Sequence, residues 1–130
     1  RLLLNQMNEK SPYFRTITSP GGYSVLIAKS AKASEVLTFH TAKKHDLFFH
    51  VANTPGAHTI LQVPEKGAKI PKEDLEFAAR QAALHSKQKR ASRVPVHYTE
   101  IYNVKRAKGP YKGTVKVYKI RKLVVRLHSE

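Results

Sequence analysis

The sequence predicts an α+β domain: a mixed, mainly antiparallel sheet of six or seven strands with two helices, the longer one Ala-rich and packed on the sheet. Three observations carry this expectation. Short runs rich in Val, Ile, Leu, Phe, Tyr and Thr recur between corners of Gly, Pro and Ser, which is how strands separated by turns read. One segment, Pro71 to about Gln88, holds helical spacing far longer than any other. Finally, 130 residues with 41% hydrophobic side chains suffice for one domain that buries roughly two thirds of its unfolded surface.

The elements follow in order. Tyr13 to Thr18 and Tyr23 to Ala28 are strand-like runs flanking Ser19, Pro20, Gly21 and Gly22, the composition of a hairpin turn. Ser34 is placed to cap a short helix from Glu35 to about Lys43, with Val36, Leu37 and Phe39 or His40 inward. Leu47 to Val51 and His58 to Val63 read as central strands on either side of an Asn53, Thr54, Pro55, Gly56 corner. In the long helix, Pro71 suits the first position, while Glu73, Asp74 and Glu76 sit near its positive end and Lys87, Lys89 and Arg90 near its negative end. Leu75, Ala78, Ala79, Ala82, Ala83 and Ser86 make one face of mostly small side chains, which lets a helix approach a sheet closely. Val94 to Thr99 alternates as a half-buried strand, and Pro95 sets its local edge or start there. Tyr102 to Val104 is a shorter strand candidate, and Lys105 to Gly113 reads as a loop. Thr114 to Tyr118 and Leu123 to Leu127 read as a terminal pair of strands, with Val115, Val117, Val124 and Leu127 inward and Lys116, Arg121, Lys122 and Arg126 outside or at the turn.

Charge narrows the function classes. Lys and Arg number 24 against 9 Asp and Glu, a net charge of +15. Such a balance suits a polyanion, because association with phosphate chains releases condensed counterions. The charge is concentrated late in the chain. Residues 1–86 hold 11 basic and 7 acidic side chains, whereas residues 87–130 hold 13 basic and 2 acidic ones. With no cysteine, a disulfide scaffold, a thiolate zinc site, an iron-sulfur cluster and a cysteine nucleophile are excluded, and a reducing compartment is allowed. The longest apolar run, Val25 to Ala28, is far short of the roughly 20 residues of a membrane helix. Arg1 to Leu4 does not have the pattern of a signal peptide. Residues 1–10 are expected to be the end of an element from a longer parent chain, a processed or tagged terminus being the alternative, and 11–130 the folded domain.

Three constellations bear on chemistry. Val104 to Gly113 combines Lys105, Arg106, Lys108 and Lys112 with two glycines and Tyr111. Glycine admits phosphate close to the backbone, the cations neutralise it, and a tyrosine ring stacks on an unpaired base. The same composition also suits a solvated hairpin loop, and the residues alone leave both readings open. The glycine and lysine spacing of a nucleotide triphosphate loop is missing. Second, Asp46 and His50 share one face of their strand and His58 follows the corner. Metal or hydrolytic chemistry there competes with a structural, hydrogen-bonded histidine pair that fixes the corner, and the latter is preferred. No Gly-x-Ser-x-Gly elbow supports serine catalysis. Third, Tyr98, Tyr102, Tyr111 and Tyr118 interleave with the late cations, as on a surface that binds single strands, though tyrosines also pack sheets.

Taken together, these residues resemble the RNA-binding domain of the NFACT family. The resemblance rests on Asp46, Leu47, Phe48, Phe49, His50, Val51 followed by Pro55, Gly56, Ala57, His58, with Ala57 in place of the usual serine. The Ala-rich helix Ala78 to Ser86, the strand Val94 to Thr99 and the stretch Val104 to Gly109 with Gly113 extend it, as do Phe14, Arg15, Gly21, Gly22 and the strand to Ala28. Ala28, Lys29, Ser30, Ser34 and Glu35 depart from a block where the family commonly carries Gly-Arg-Asn and a later Asn-Asp.

The resemblance implies a cytoplasmic, non-catalytic module at the end of a larger protein, with a coiled coil before it. Its implied partner is transfer RNA or ribosomal RNA, reached with the large ribosomal subunit through the parent protein in ribosome quality control. No cofactor, metal, membrane or small-molecule substrate is implied. Lys105, Arg106, Lys108, Tyr111 and Lys112 are the expected RNA contacts, extended by Lys87, Lys89, Arg90 and Arg93, and Asp46, His50 and His58 are expected to organise a central cleft. The alternatives are a protein-interaction or adhesion module, because some relatives were labelled fibronectin-binding, and a His/Asp-dependent hydrolase.

Overall fold

A computed structural model describes residues 13–54, 56–107 and 115–128. The expected terminal element of residues 1–10 and most of the basic loop lie outside the described residues. The first hairpin forms as predicted. β1 (Phe14–Thr18) pairs antiparallel with β2 (Ser24–Ala28), Phe14 opposite Ala28 and Thr18 opposite Ser24. Gly22 takes φ +93° at the tip, a backbone state that glycine adopts without strain. The backbone N–H of Gly21 donates to Asp74 Oδ1 at 2.7 Å.

The first helix starts four residues earlier than expected. α1 (Ala31–Val36) is capped by Ser30, whose hydroxyl accepts from the Ala33 N–H at 3.0 Å, and runs into a π-helical turn, Leu37–Thr41. Ser34, the expected cap, is buried inside the helix, where its hydroxyl accepts from the His58 N–H at 3.1 Å. The cap fell to the serine with extended backbone, the geometry that aims the side chain at the first free N–H groups.

β3 (Leu47–Val51) and β4 (Thr59–Leu61) are the central strands, β4 being shorter than predicted. α2 (Lys72–Leu84) begins after Pro71, which caps rather than opens it, and stops four residues short of Gln88. Ser86 ends it: its hydroxyl donates to the Ala83 carbonyl at 2.7 Å and accepts from the Gln88 N–H at 3.0 Å, a local competitor for helical hydrogen bonds. Ala78, Ala79, Ala82 and Ala83 are buried against the sheet, as their spacing predicted.

β5 (Arg93–Glu100) pairs with β3 on one side. The Pro95 carbonyl accepts from Ala52 N at 3.0 Å, so its missing N–H is directed past the end of β3, where it costs no ladder bond. The expected strand at Tyr102 is instead a 3₁₀ turn, Ile101–Asn103, leading into β6 (Val104–Arg106). β7 (Val115–Val117) and β8 (Arg121–Arg126) form, but not as a terminal pair. β7 pairs with β6, and β8 with β5. Lys119 at φ +53° turns the chain between them. Thr99 and Asn103 pin that turn: the Asn103 amide donates to Thr99 Oγ1, the Thr99 hydroxyl to the Lys119 carbonyl, and Tyr118 N–H to the Asn103 carbonyl.

The large sheet is antiparallel throughout, in the order β1-β2-β4-β3-β5-β8, with β6 and β7 as a separate two-stranded ribbon. Its two faces bury different partners. α2 covers Val25, Ile27, Leu47, Phe49, Val51, Leu61, Val94, Val96 and Val125. On the opposite face, Phe14, Leu26, Phe48 and Ile60 pack with Ala33, Leu37, Ile101 and Val104, while Val115 and Val117 of the ribbon lie against them. Covering both faces is why β2, β3 and β4 read as continuous apolar runs. In β8 the inward valine is Val125, opposite Val94, and Val124, expected inward, is 42% exposed.

Candidate nucleic-acid interface

The pleat of β3 sends Leu47, Phe49 and Val51 under α2 and Phe48 and His50 to the other face. His97 of β5 lies directly opposite His50 on that same face. The corner after β3 then returns His58 to them. The His50 and His58 rings meet edge to face with centroids 5.5 Å apart, Phe48 lies parallel to His50 at 6.1 Å, and Phe48 meets His58 edge on at 5.0 Å. His58 Nδ1 shares a 2.7 Å hydrogen bond with the Thr38 hydroxyl. His50 Nδ1–H donates to its neighbour's carbonyl, Val51 O, at 2.8 Å. Burial draws the His50 imidazole below its ordinary value of 6.5; hydrogen bonds with the backbone of Val51 and Gly56 oppose that shift, and the charge of His97 reinforces it. A neutral His50 therefore presents a flat, weakly polar ring.

Above these rings is a cleft of about 1060 Å³. Its floor is Phe48, His50, His58 and His97, and Val115, Val117 and Ile120 form an apolar wall. Lys29, Lys87 and Lys89 stand on its rim with His85, Asn53 and Thr54. Gly56 explains how Lys87 and Lys89 reach the corner. It forms an isolated antiparallel bridge with Ser86, and a Cβ there would come within 3.2 Å of Ser86 Cβ. A second hollow of about 400 Å³ shares Lys29, His85, Ser86 and Lys89 and adds Arg15.

Of the three residues expected to organise this cleft, His50 and His58 line it and Asp46 does not. Asp46 is buried before β3, four residues and about 13 Å of strand from His50. There its carboxylate accepts from Lys43 N at 2.8 Å and Val63 N at 2.9 Å, bracing two loops. Among the described residues no group of three or more His, Asp or Glu is arranged to hold a metal ion.

The late cations among the described residues fall mostly on this side of the sheet. Since Val94, Val96 and Val125 face α2, the alternation puts Arg93 and His97 of β5 and Lys122 and Arg126 of β8 on the opposite face, around the exposed Val124. The ribbon packs its valines inward and holds Lys105 opposite Lys116 on its outer side. Like charges so placed repel, and an anion across them relieves that. Lys87, Lys89, Arg90, Arg93, Lys105 and Lys116 are exposed, with no carboxylate partner among the described residues. Arg106 differs. It is paired with Glu35, lies 4.4 Å over the Phe39 ring and reaches His40 at 3.3 Å. Arg121 is on the α2 side, 4.8 Å over the Tyr98 ring and 2.9 Å from Glu100.

Lys108, Tyr111 and Lys112 lie outside the described residues. Tyr98 stacks on Phe49 at 5.3 Å as sheet packing, whereas Tyr102 and Tyr118 are about half exposed. The residues expected from the sequence to form the site do not include Arg15, Lys29, His85, His97, Lys122 or Arg126, of which Lys122 and Arg126 were read only as outside or at the turn. The alternation of Lys122 and Arg126 with Leu123 and Val125 was the available signal; Arg15, Lys29 and His85 join only through long-range packing.

Over 105 residues the chain is 34% identical to the Rqc2 homolog RqcH of Bacillus subtilis, which covers 81% of this chain and 18% of that protein. Over 101 residues it is 30% identical to the Rqc2 homolog RqcH of Streptococcus suis, covering 78% of this chain and again 18% of the relative. It thus spans less than one fifth of the length of these relatives. The fold is shared with the C-terminal part of the fibronectin/fibrinogen-binding protein of Streptococcus suis, at a TM-score of 0.81 and 22% identity over 96% of this chain and 55% of that one. Residues 10–119 match the family described as the NFACT protein RNA binding domain, and the chain belongs to that family.

Proposed function

We propose that this domain is a non-catalytic RNA-binding module, directed at transfer RNA or large-subunit ribosomal RNA, of a larger cytoplasmic protein of ribosome quality control. The observation that carries the reading is the segregation of charge. Lys87, Lys89, Arg93, Lys105, Lys116, Lys122 and Arg126 gather around one cleft and one sheet face, opposite the face that α2 covers. Cations without carboxylate partners on one rigid surface bind phosphate chains by releasing counterions. The RNA-binding family of the chain supports the same partner. Lys105, Lys108 and Lys112 supply phosphate contacts, Arg106 does so when Glu35 yields it, Tyr111 stacks, and Lys87, Lys89, Arg90 and Arg93 extend the track. His50 and His58 shape the cleft, and Asp46 holds the loops behind it.

The test is RNA crosslinking in cells with the full parent protein, comparing wild type with the paired charge reversal Lys105→Glu, Lys108→Glu. The reading expects one class of transfer or ribosomal RNA to be enriched and the variant to lose most of that enrichment. Equal recovery of RNA by both proteins contradicts it. Saturable binding to a protein partner that survives the charge reversal would favour the adhesion-type role named for the structural relative.

A further inference from the structure

We infer that the histidine-floored cleft receives an unpaired nucleotide of the bound strand, its base against the imidazoles of His50 and His97 and its phosphate at Lys87 and Lys89. This rests on the RNA-binding reading above and adds to it the part of the RNA that the cleft selects. Four features support it. At the floor, the half-buried imidazoles of His50 and His97 lie opposite each other across the β3–β5 pair, beside the buried rings of Phe48 and His58. Base stacking on such rings is tolerant of sequence. The wall of Val115, Val117 and Ile120 is apolar, which suits the face of a base and offers nothing to a phosphate. At the rim, Lys87 and Lys89 are exposed, with no carboxylate partner among the described residues. Asn53 also lines the cleft, and its amide can both donate to and accept from a base edge.

The chemistry specifies a strand rather than a free nucleotide. Positive charge continues past the cleft in both directions, through Arg15 and Lys89 in the adjoining hollow and through Arg93, Lys122 and Arg126 on the open sheet. One nucleotide fills only the cleft, whereas flanking phosphates occupy both extensions. A duplex is excluded from the floor, because its bases are stacked inside and its deep groove is closed to side chains.

The experiment uses the full 130-residue chain and two RNA hairpins with identical stems. One is blunt. The other carries a short single-stranded 3′ extension containing 2-aminopurine, whose fluorescence responds to stacking. The expected result is binding of the extended hairpin at least about fivefold tighter than the blunt one, the least that one stacked base supplies, with a saturable fluorescence change. His97→Ala, at a half-buried site, is expected to lower the affinity for the extended hairpin to about that for the blunt one and to abolish the fluorescence change; an unchanged preference for the extended hairpin overturns the assignment of the base to this floor. Equal affinity of wild type for both hairpins with no fluorescence change overturns the inference and leaves the RNA-binding reading standing. Failure to bind either hairpin at low salt removes both. Competition by free AMP at concentrations comparable to the strand overturns the assignment to a strand.

Discussion

His50 shows how one side chain joins stability to the site. Burial holds its folded value below 6.5, so in the folded protein it is neutral where the unfolded chain has begun to take up a proton. Stability is therefore complete above about pH 6.5 and falls as pH drops from there through the folded value. One proton limits the slope to about 1.4 kcal/mol per pH unit. His50→Gln is expected to flatten this part of the profile, read as melting temperature against pH; curves parallel to wild type would remove the explanation. Glu35 is the other informative residue. On the proposed RNA-binding role, its pairing with Arg106 withholds a cation from the strand. Because Arg106 is half exposed and the pair remains open to solvent, its own contribution to stability is small. Glu35→Gln is expected to tighten RNA binding about two- to fivefold at low salt, on the scale of one exposed charge interaction, with little change in melting temperature. Weaker binding would mean that Glu35 orients Arg106 for RNA rather than competing with it. The pair was illegible in the sequence, since 71 residues separate its members.

At the scale of elements, the tip of the β1–β2 hairpin is fastened to the start of α2. Asp74 is fully buried and its Oδ1 accepts from Gly21 N, while a Cβ on Gly21 would stand 2.6 Å from Asp74 Oδ2. Gly21→Ala is expected to destabilise the protein by about 1–3 kcal/mol, the usual cost of overpacking, measured by denaturant unfolding; wild-type stability would show that the hairpin tip docks loosely. What the sequence made legible here were elements with a local cause. The hairpin had its glycines, α2 its alanine face, and β5 its alternation. Elements whose limits depend on distant partners were misjudged. Ser34 looks as good a cap as Ser30 until His58 claims its hydroxyl. Val124 and Val125 are indistinguishable until the register with β5 is known. The late strands pair with β5 and β6, rather than with each other, because Asn103 and Thr99 anchor the turn between them.

At the scale of the whole molecule, the sheet separates two jobs. One face is sealed by α2 and supplies much of the core; the other carries the ribbon, the cleft and most of the late cations. The charge imbalance between the two parts of the chain announced a basic surface, but not that Lys29 of the first part stands on the rim of its cleft. Likewise the motif around Asp46 and His50 fell on a strand that lines the cleft but put Asp46 in it, because the strand pattern is blind to a side chain that turns back to brace loops. The most direct measurement is the salt dependence of RNA affinity for wild type, for Lys105→Glu with Lys122→Glu, and for Lys72→Glu at the start of α2. With about five phosphates neutralised, the logarithm of wild-type affinity should fall against the logarithm of salt with a slope of roughly −3.5 to −4.5. The double variant should lose about one unit of slope for each contact removed, and Lys72→Glu should lose none. A wild-type slope near zero, or equal slopes in all three proteins, contradicts a grip on the sugar-phosphate chain by this face.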